Sequence, residues 1–240
     1  MKSKVIALSS GGVDSACAAV LAKNEGFEVS LLHFLRPRKE FEGVYTKKFA
    51  EKYNFPIKII ECDVTSLMRQ AQETPLKYVT STDDIWEYLL GRNFIYLTLA
   101  ANYAVSVGVS TIVVGFAPHD ANSRLLPNAA DYPDCHPLVL NDFASLLSDC
   151  LHMRLNSVVT AIHFWAPLFK YVINKKEVFE LALTLGIDLD DTITCYTPIK
   201  EERDDGSIQW RTCGTCLACL HKSRALKELS EEKNGKGRKI

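Results

Sequence analysis

Short apolar runs alternate with amphipathic stretches along the first half of the chain. Val5-Ile-Ala-Leu8 reads as a buried strand that stops at a glycine turn, Ser9-Ser10-Gly11-Gly12. Over residues 14–24 alanine and leucine recur at helical spacing, and Gly26 follows where a helix end favours glycine. Residues 28–34 read as a second strand, 45–53 as a charged amphipathic helix and 56–62 as a third strand. Residues 93–107 form an apolar helix stopped by Gly108, and 111–115 a fourth buried strand. Strands separated by helices of 10–15 residues predict βαβ units and a doubly wound parallel sheet, which binds ligands beyond the carboxyl ends of its strands.

Two stretches, 72–87 and 117–137, mix proline with polar residues and read as long binding loops. Helices follow at 140–153 and 175–185, then a cysteine-rich segment and a basic helix over 217–229. The predicted organisation is an α/β domain over 1–190, a cysteine region over 191–229 and a solvated tail over 230–240.

Composition narrows the classes. With 47% hydrophobic and 24% charged residues the chain can bury a large core, and 28 basic against 29 acidic residues leave a net charge of −1. That balance argues against a general nucleic-acid or membrane-surface binder. No run approaches the ~18 apolar residues of a membrane span. The first residues enter a strand directly, without a signal-peptide layout, and the expectation is a cytoplasmic protein.

Four of the eight cysteines, Cys195, Cys213, Cys216 and Cys219, are clustered, the last three as Cys-x2-Cys-x2-Cys. Reduced, clustered thiols read as metal ligands. Zinc takes four thiolates in a tetrahedron, and an iron–sulfur centre is the chemical competitor. Cys17, Cys62 and Cys150 read instead as ordinary free thiols.

Ser10-Gly-Gly-Val-Asp-Ser15 lies between the first strand and the first helix. The glycines let backbone amides approach an anion, Ser10 and Ser15 add hydroxyls, and the helix N-terminus adds partial positive charge. Asp14 could cap the helix or hold a magnesium ion bridging phosphates. Lys175 and Lys176 open a helix at the end where cations are disfavoured, which points to an anion nearby.

This loop is the signature of the N-type ATP pyrophosphatase superfamily. Together with Gly91-Arg92-Asn93-Phe94, Asp131-Tyr-Pro-Asp-Cys-His-Pro137, Asn174-Lys175-Lys176-Glu177-Val178 and the cysteine segment, the chain resembles the 7-cyano-7-deazaguanine synthase family over residues 4–229. The resemblance implies an adenine nucleotide alpha hydrolase-like, Rossmann-like fold with a small zinc-binding helical region. It implies ATP, Mg2+ and Zn2+ as cofactors, a deazaguanine carboxylate and ammonia as substrates, and a homodimer. Carried over by position, Ser9, Ser10, Gly11, Gly12, Val13, Asp14 and Ser15 hold the pyrophosphate, with Arg92 and Asn93 as further nucleotide contacts. Asp14 and Lys175 are catalytic, Asp134 and His136 bind substrate, and Cys195, Cys213, Cys216 and Cys219 bind zinc.

Three departures sit where substrate is expected. Phe34-Leu-Arg-Pro-Arg-Lys-Glu40 replaces the family's aromatic-Gly-Gln-Arg-His stretch, His136 stands in place of arginine, and 122–130 is lengthened. They keep open a diverged, defence-associated relative that transfers the activated deazaguanine to another amine, such as a protein terminus. A tRNA-thiolating enzyme is the second alternative, weakened by the near-neutral charge. A non-catalytic zinc module is the third.

Overall fold

The computed structural model describes residues 2–37, 39–64, 91–121, 132–152 and 159–236. The expected loop at 72–87 and the lengthened stretch 122–130 lie outside the described residues. Five parallel strands, β1 (Lys4–Leu8), β2 (Glu28–Leu35), β3 (Ile57–Glu61), β4 (Thr111–Val113) and β5 (His163–Trp165), lie in the order β3-β2-β1-β4-β5. Val5 stands opposite Val29, Leu31 opposite Ile57, and Ile112 bridges Ile6 and Phe164. The sheet is doubly wound about β1, as the alternation of strands and helices predicts.

Alternation along each strand assigns the faces. Val5, Ala7, Val29, Leu31 and Val113 join one buried cluster, while Ile6, Leu32, Phe34, Ile112 and Val114 join the other. The first face is covered by α1 (Val13–Asn24) and α2 (Glu40–Tyr53), and later by the two helices described below. The second is covered by α3 (Arg92–Ser106) and α5 (Pro137–His152), with the one-turn α4 (Pro118–Ala121) and a 3-10 turn at Pro133–Cys135 between them. Leu31, Leu32, Ile112 and Leu168 are fully buried, each contributing about 1.5–3 kcal/mol of transfer free energy.

After β5 come α6 (Leu168–Tyr171), α7 (Lys175–Thr184), a 3-10 turn at Leu189–Asp191, and an antiparallel hairpin of β6 (Ile199–Glu202) and β7 (Ile208–Arg211). Helix α8 (Leu217–Lys236) follows, and its Ala225 and Leu229 enter the same core cluster as α1 and α7. The cysteine region is thus packed onto the α/β body.

Several boundaries differ from the sequence expectation. Helix α2 begins at Glu40, not at 45, because Phe41 is anchored among Ile193, Cys195 and Trp210, and Glu40 and Glu42 suit the positive end of the helix. Gly43, which obscured that turn in the sequence, makes room for Leu35 and His33. Strand β5 is only three residues long, and the β6–β7 hairpin is too charged to show a clear alternation. Helix α8 runs on to Lys236, so the stretch expected to begin a solvated tail at 230 is helical at first.

Candidate active site

The turn leaving β1 is shaped by crowding. Gly11 adopts φ +75°, and a Cβ there would stand 2.7 Å from the carbonyl oxygen of Glu42. The Ser15 hydroxyl donates to the Gly12 carbonyl at 2.9 Å and accepts the Ser10 amide at 3.2 Å. Helix α1 starts from Gly12 with no side-chain cap, which leaves its first amides available to an anion. Gly115, just past β4, closes the turn from the other side: a Cβ there would lie 2.6 Å from the Ser15 nitrogen and 2.7 Å from its Cα. The sequence reading placed Gly115 only as a strand end. A glycine at the carboxyl end of a strand beside β1 is the signal that marks such a close approach.

The acidic and basic groups named in advance meet here. Asp14 Oδ2 accepts a hydrogen bond from Lys175 Nζ, across 161 residues of sequence. Lys175 is the first residue of α7, whose N-cap Asn174 accepts the Glu177 amide at 3.1 Å while the Glu177 carboxylate takes the Ile173 amide at 2.7 Å. Asp14 thus supplies the anion that a cation at a helix N-terminus calls for. Asp14 Oδ1 is buried and takes no hydrogen bond among the described residues. An acceptor-only oxygen beside an anion-binding turn fits a magnesium ion that also contacts phosphate.

His119 Nε2 stands 3.8 Å from Asp14 Oδ1 and 3.7 Å from Asp120 Oδ1. Neither the place of His119 nor that of Asp120 beside Asp14 is visible from local sequence pattern. Burial pushes the Asp120 carboxyl above its usual range, and the Asp14 charge adds to the rise. Burial followed by the Asp14 charge also raises the Cys17 thiol to about 12, so Cys17 behaves as a small apolar side chain.

A cavity of about 270 Å³ opens over the loop, just below the usual range for small-molecule sites. Ser9, Ser10, Asp14, Ser15 and Gly115 line it, together with Arg36, Glu42, Arg92, Asn93 and Tyr96. Val13 is fully buried beneath the loop in the core. Fully buried His33 donates from Nδ1 to the Ser9 carbonyl at 2.8 Å and holds the start of the loop.

Asp134 and His136 are placed differently from the residues above. Asp134 Oδ2 accepts the Asn93 amide at 3.3 Å, and Asn93 Nδ2 donates to Cys135 Sγ at 3.3 Å, so this turn holds the start of α3. His136 Nδ1 accepts the Leu138 amide at 3.2 Å, at the entry to α5, and its ring faces Phe169. Neither side chain lines the cavity.

The sulfurs of Cys195, Cys213, Cys216 and Cys219 all lie within 4.8 Å of one another. The separations of 3.5, 3.9 and 4.0 Å compare with ~3.8 Å between thiolates at tetrahedral zinc, from a Zn–S bond of about 2.3 Å. Such a set leaves room for a single ion. The Cys213 sulfur accepts the Cys216 amide at 3.3 Å, and bonds of this kind, from Cys216 first, push its thiol down to about 5. Such a group is a ready thiolate ligand.

The family described as queuosine biosynthesis protein QueC matches residues 4–230. The 7-cyano-7-deazaguanine synthase of Rickettsia canadensis (strain McKiel) is 28% identical over 235 residues, covering 94% of this chain and 95% of that protein. The enzyme of the same name from Synechococcus sp. (strain CC9311) is 31% identical over 234 residues, with 93% and 92% covered. Among solved structures, NMN synthetase from Francisella tularensis has a TM-score of 0.46 at 15% identity, covering 89% of this chain and 71% of that one. The match to the QueC family runs from β1 into α8 and takes in both the phosphate loop and the four cysteines. The chain belongs to the queuosine biosynthesis protein QueC family.

Proposed function

We propose that this protein converts 7-carboxy-7-deazaguanine and ammonia to 7-cyano-7-deazaguanine at the expense of ATP, as a carbon–nitrogen ligase. The relatives named 7-cyano-7-deazaguanine synthase support this reading. The observation that carries it is the uncapped start of α1 with Asp14, Lys175 and the cavity grouped around it.

A carboxylate is a poor electrophile because oxide is a poor leaving group. Adenylation replaces it with AMP, ammonia displaces the AMP to give an amide, and a second adenylation lets the amide lose its oxygen and become a nitrile. The β and γ phosphates lie on the loop amides and the Ser10 and Ser15 hydroxyls. Lys175 neutralises charge that builds on the leaving pyrophosphate, and Arg92 supplies a second cation from the cavity lining. Donors already fixed in place do most of the work in such a transfer. Magnesium, held by Asp14, would supply further neutralisation of phosphate charge. Zinc at the four cysteines would supply folding free energy.

The test is mass spectrometry of products after incubation with the carboxylate, ammonium, magnesium and ATP. The nitrile and AMP are expected. ADP as the sole nucleotide product would exclude adenylation, and ligation of the carboxylate to an amine other than ammonia would identify a diverged acceptor.

A further inference from the structure

The cavity lining contains a charged pair that the phosphate chemistry does not use. Arg36 Nη2 donates to both carboxylate oxygens of Glu42 at 2.7 Å, and the two side chains are only 18% and 14% exposed. Desolvation makes a pair of this kind a weak source of stability. Its place on a cavity wall therefore calls for a role in ligand recognition.

Glu42 is held rigidly. Its carbonyl is packed against Gly11, and the preceding Phe41 is buried among Ile193, Cys195 and Trp210, so the carboxylate stands at a set position relative to the phosphate loop. Both of its bonds come from one nitrogen. An ionised carboxylate has about four lone-pair sites; Glu42 lines the cavity, and among the described residues Arg36 is the sole side-chain donor to its carboxylate, which leaves acceptor capacity for a ligand. Phe34 and Tyr96 stand with ring centroids 5.5 Å apart and line the same cavity. An acceptor-only group next to aromatic rings suits a flat heterocycle with adjacent N–H donors.

We infer that Glu42, oriented by Arg36, is the specificity-determining residue of the cavity, accepting from the ring N–H and the exocyclic amine of a guanine-type base. Adenine presents an amine next to a bare ring nitrogen, whose lone pair the carboxylate repels. Glu42 thereby keeps the adenine of ATP away from its carboxylate and reserves that part of the cavity for the second substrate. The inference rests on the deazaguanine reading above and names the group that would enforce it.

Calorimetry with 7-carboxy-7-deazaguanine and its analogue lacking the exocyclic amine tests the assignment, in the presence of a non-hydrolysable ATP analogue. The wild-type protein should favour the amine-bearing base by at least about tenfold, and E42Q should hold that preference to within about twofold of unity. Nucleotide affinity of E42Q should stay at the wild-type value, while its melting temperature falls because Arg36 loses its charged partner. Should E42Q not fold, Glu42→Asp, which withdraws the carboxylate by one methylene, should narrow the same ratio. Retention of the wild-type preference in either variant overturns the role of Glu42 and leaves the deazaguanine reading standing. Wild-type protein that binds nucleotide but neither base overturns both.

Discussion

The backbone amide of Ile193 donates to the Gly11 carbonyl at 2.8 Å. Two residues later comes Cys195, and Ile193, Cys195 and Cys219 share an apolar cluster with Phe41 of α2. The turn that would grip a triphosphate is therefore hydrogen-bonded to the segment that carries Cys195. Removing metal, by chelation or by Cys216→Ser, should loosen this segment and weaken nucleotide binding by roughly two- to tenfold, the value of one hydrogen bond. Titration calorimetry on metal-free protein that still melts cooperatively measures the effect. An unchanged affinity would mean that loop and cysteine centre act independently.

Gly115→Ala should be far more damaging than an exposed glycine substitution. The added methyl would meet the Ser15 backbone at 2.6 and 2.7 Å. Overpacking costs about 1–3 kcal/mol, and no side chain is available here to swing aside. A lower melting temperature together with lost nucleotide binding is expected. A variant that binds ATP normally would show that β4 and the loop can separate without consequence.

Asp14→Asn and Lys175→Met separate charge from shape at the loop. The Asp14–Lys175 pair is partly exposed, at 22% and 29%, so its contribution to stability is small. Either substitution should therefore leave melting within a few degrees of wild type while slowing AMP release by a factor of about 100 or more, the scale seen when one preorganised charge-stabilising group is removed. Turnover near the wild-type rate in both variants would remove these residues from the chemistry.

His33 makes the fold sensitive to acid. Burial lowers its pKa below the ordinary 6.5, against a smaller upward pull from its bond to Ser9. In the unfolded chain the imidazole gains a proton near pH 6.5, whereas the folded protein resists it, so stability falls as pH drops below that value. Denaturant unfolding at pH 7.5 and 5.5 should show the loss. In His33→Phe the Ser9 carbonyl is left without its donor at a cost of about 1–3 kcal/mol, and the part of the pH dependence due to His33 should vanish.

The parts of the site that rest on local chemistry were legible in the sequence. Ser10 to Ser15 combine small residues, hydroxyls and a helix start within one turn, and the cysteines are spaced for one metal ion. Asp14 and Lys175 could be named separately, but their pairing depends on how α7 is laid against α1. Gly115, Arg36, Glu42 and His33 were not singled out, because each acquires its role only from neighbours on other strands and helices. Asp134 and His136 show the converse. Both lie in a recognisable motif, yet Asp134 bonds the Asn93 amide and His136 the Leu138 amide, which are backbone-anchoring contacts that no spacing rule reveals. The β6–β7 hairpin escaped detection since its cross-strand pairs, such as Lys200 with Trp210, carry no apolar alternation.

Helix α1 is complete by Asn24, and Val29, Leu31, Phe49 and Phe55 of its cluster follow soon after, but Leu168, Val178, Phe179, Ala225 and Leu229 arrive much later in the chain. While the polypeptide is still emerging from the ribosome, this alanine-rich segment has only its β1, β2 and α2 neighbours, and closing the remaining span is entropically slow. Assembly of the core is accordingly a late event in biosynthesis. The nascent chain must keep its first helix from aggregating until α7 and α8 arrive to cover it.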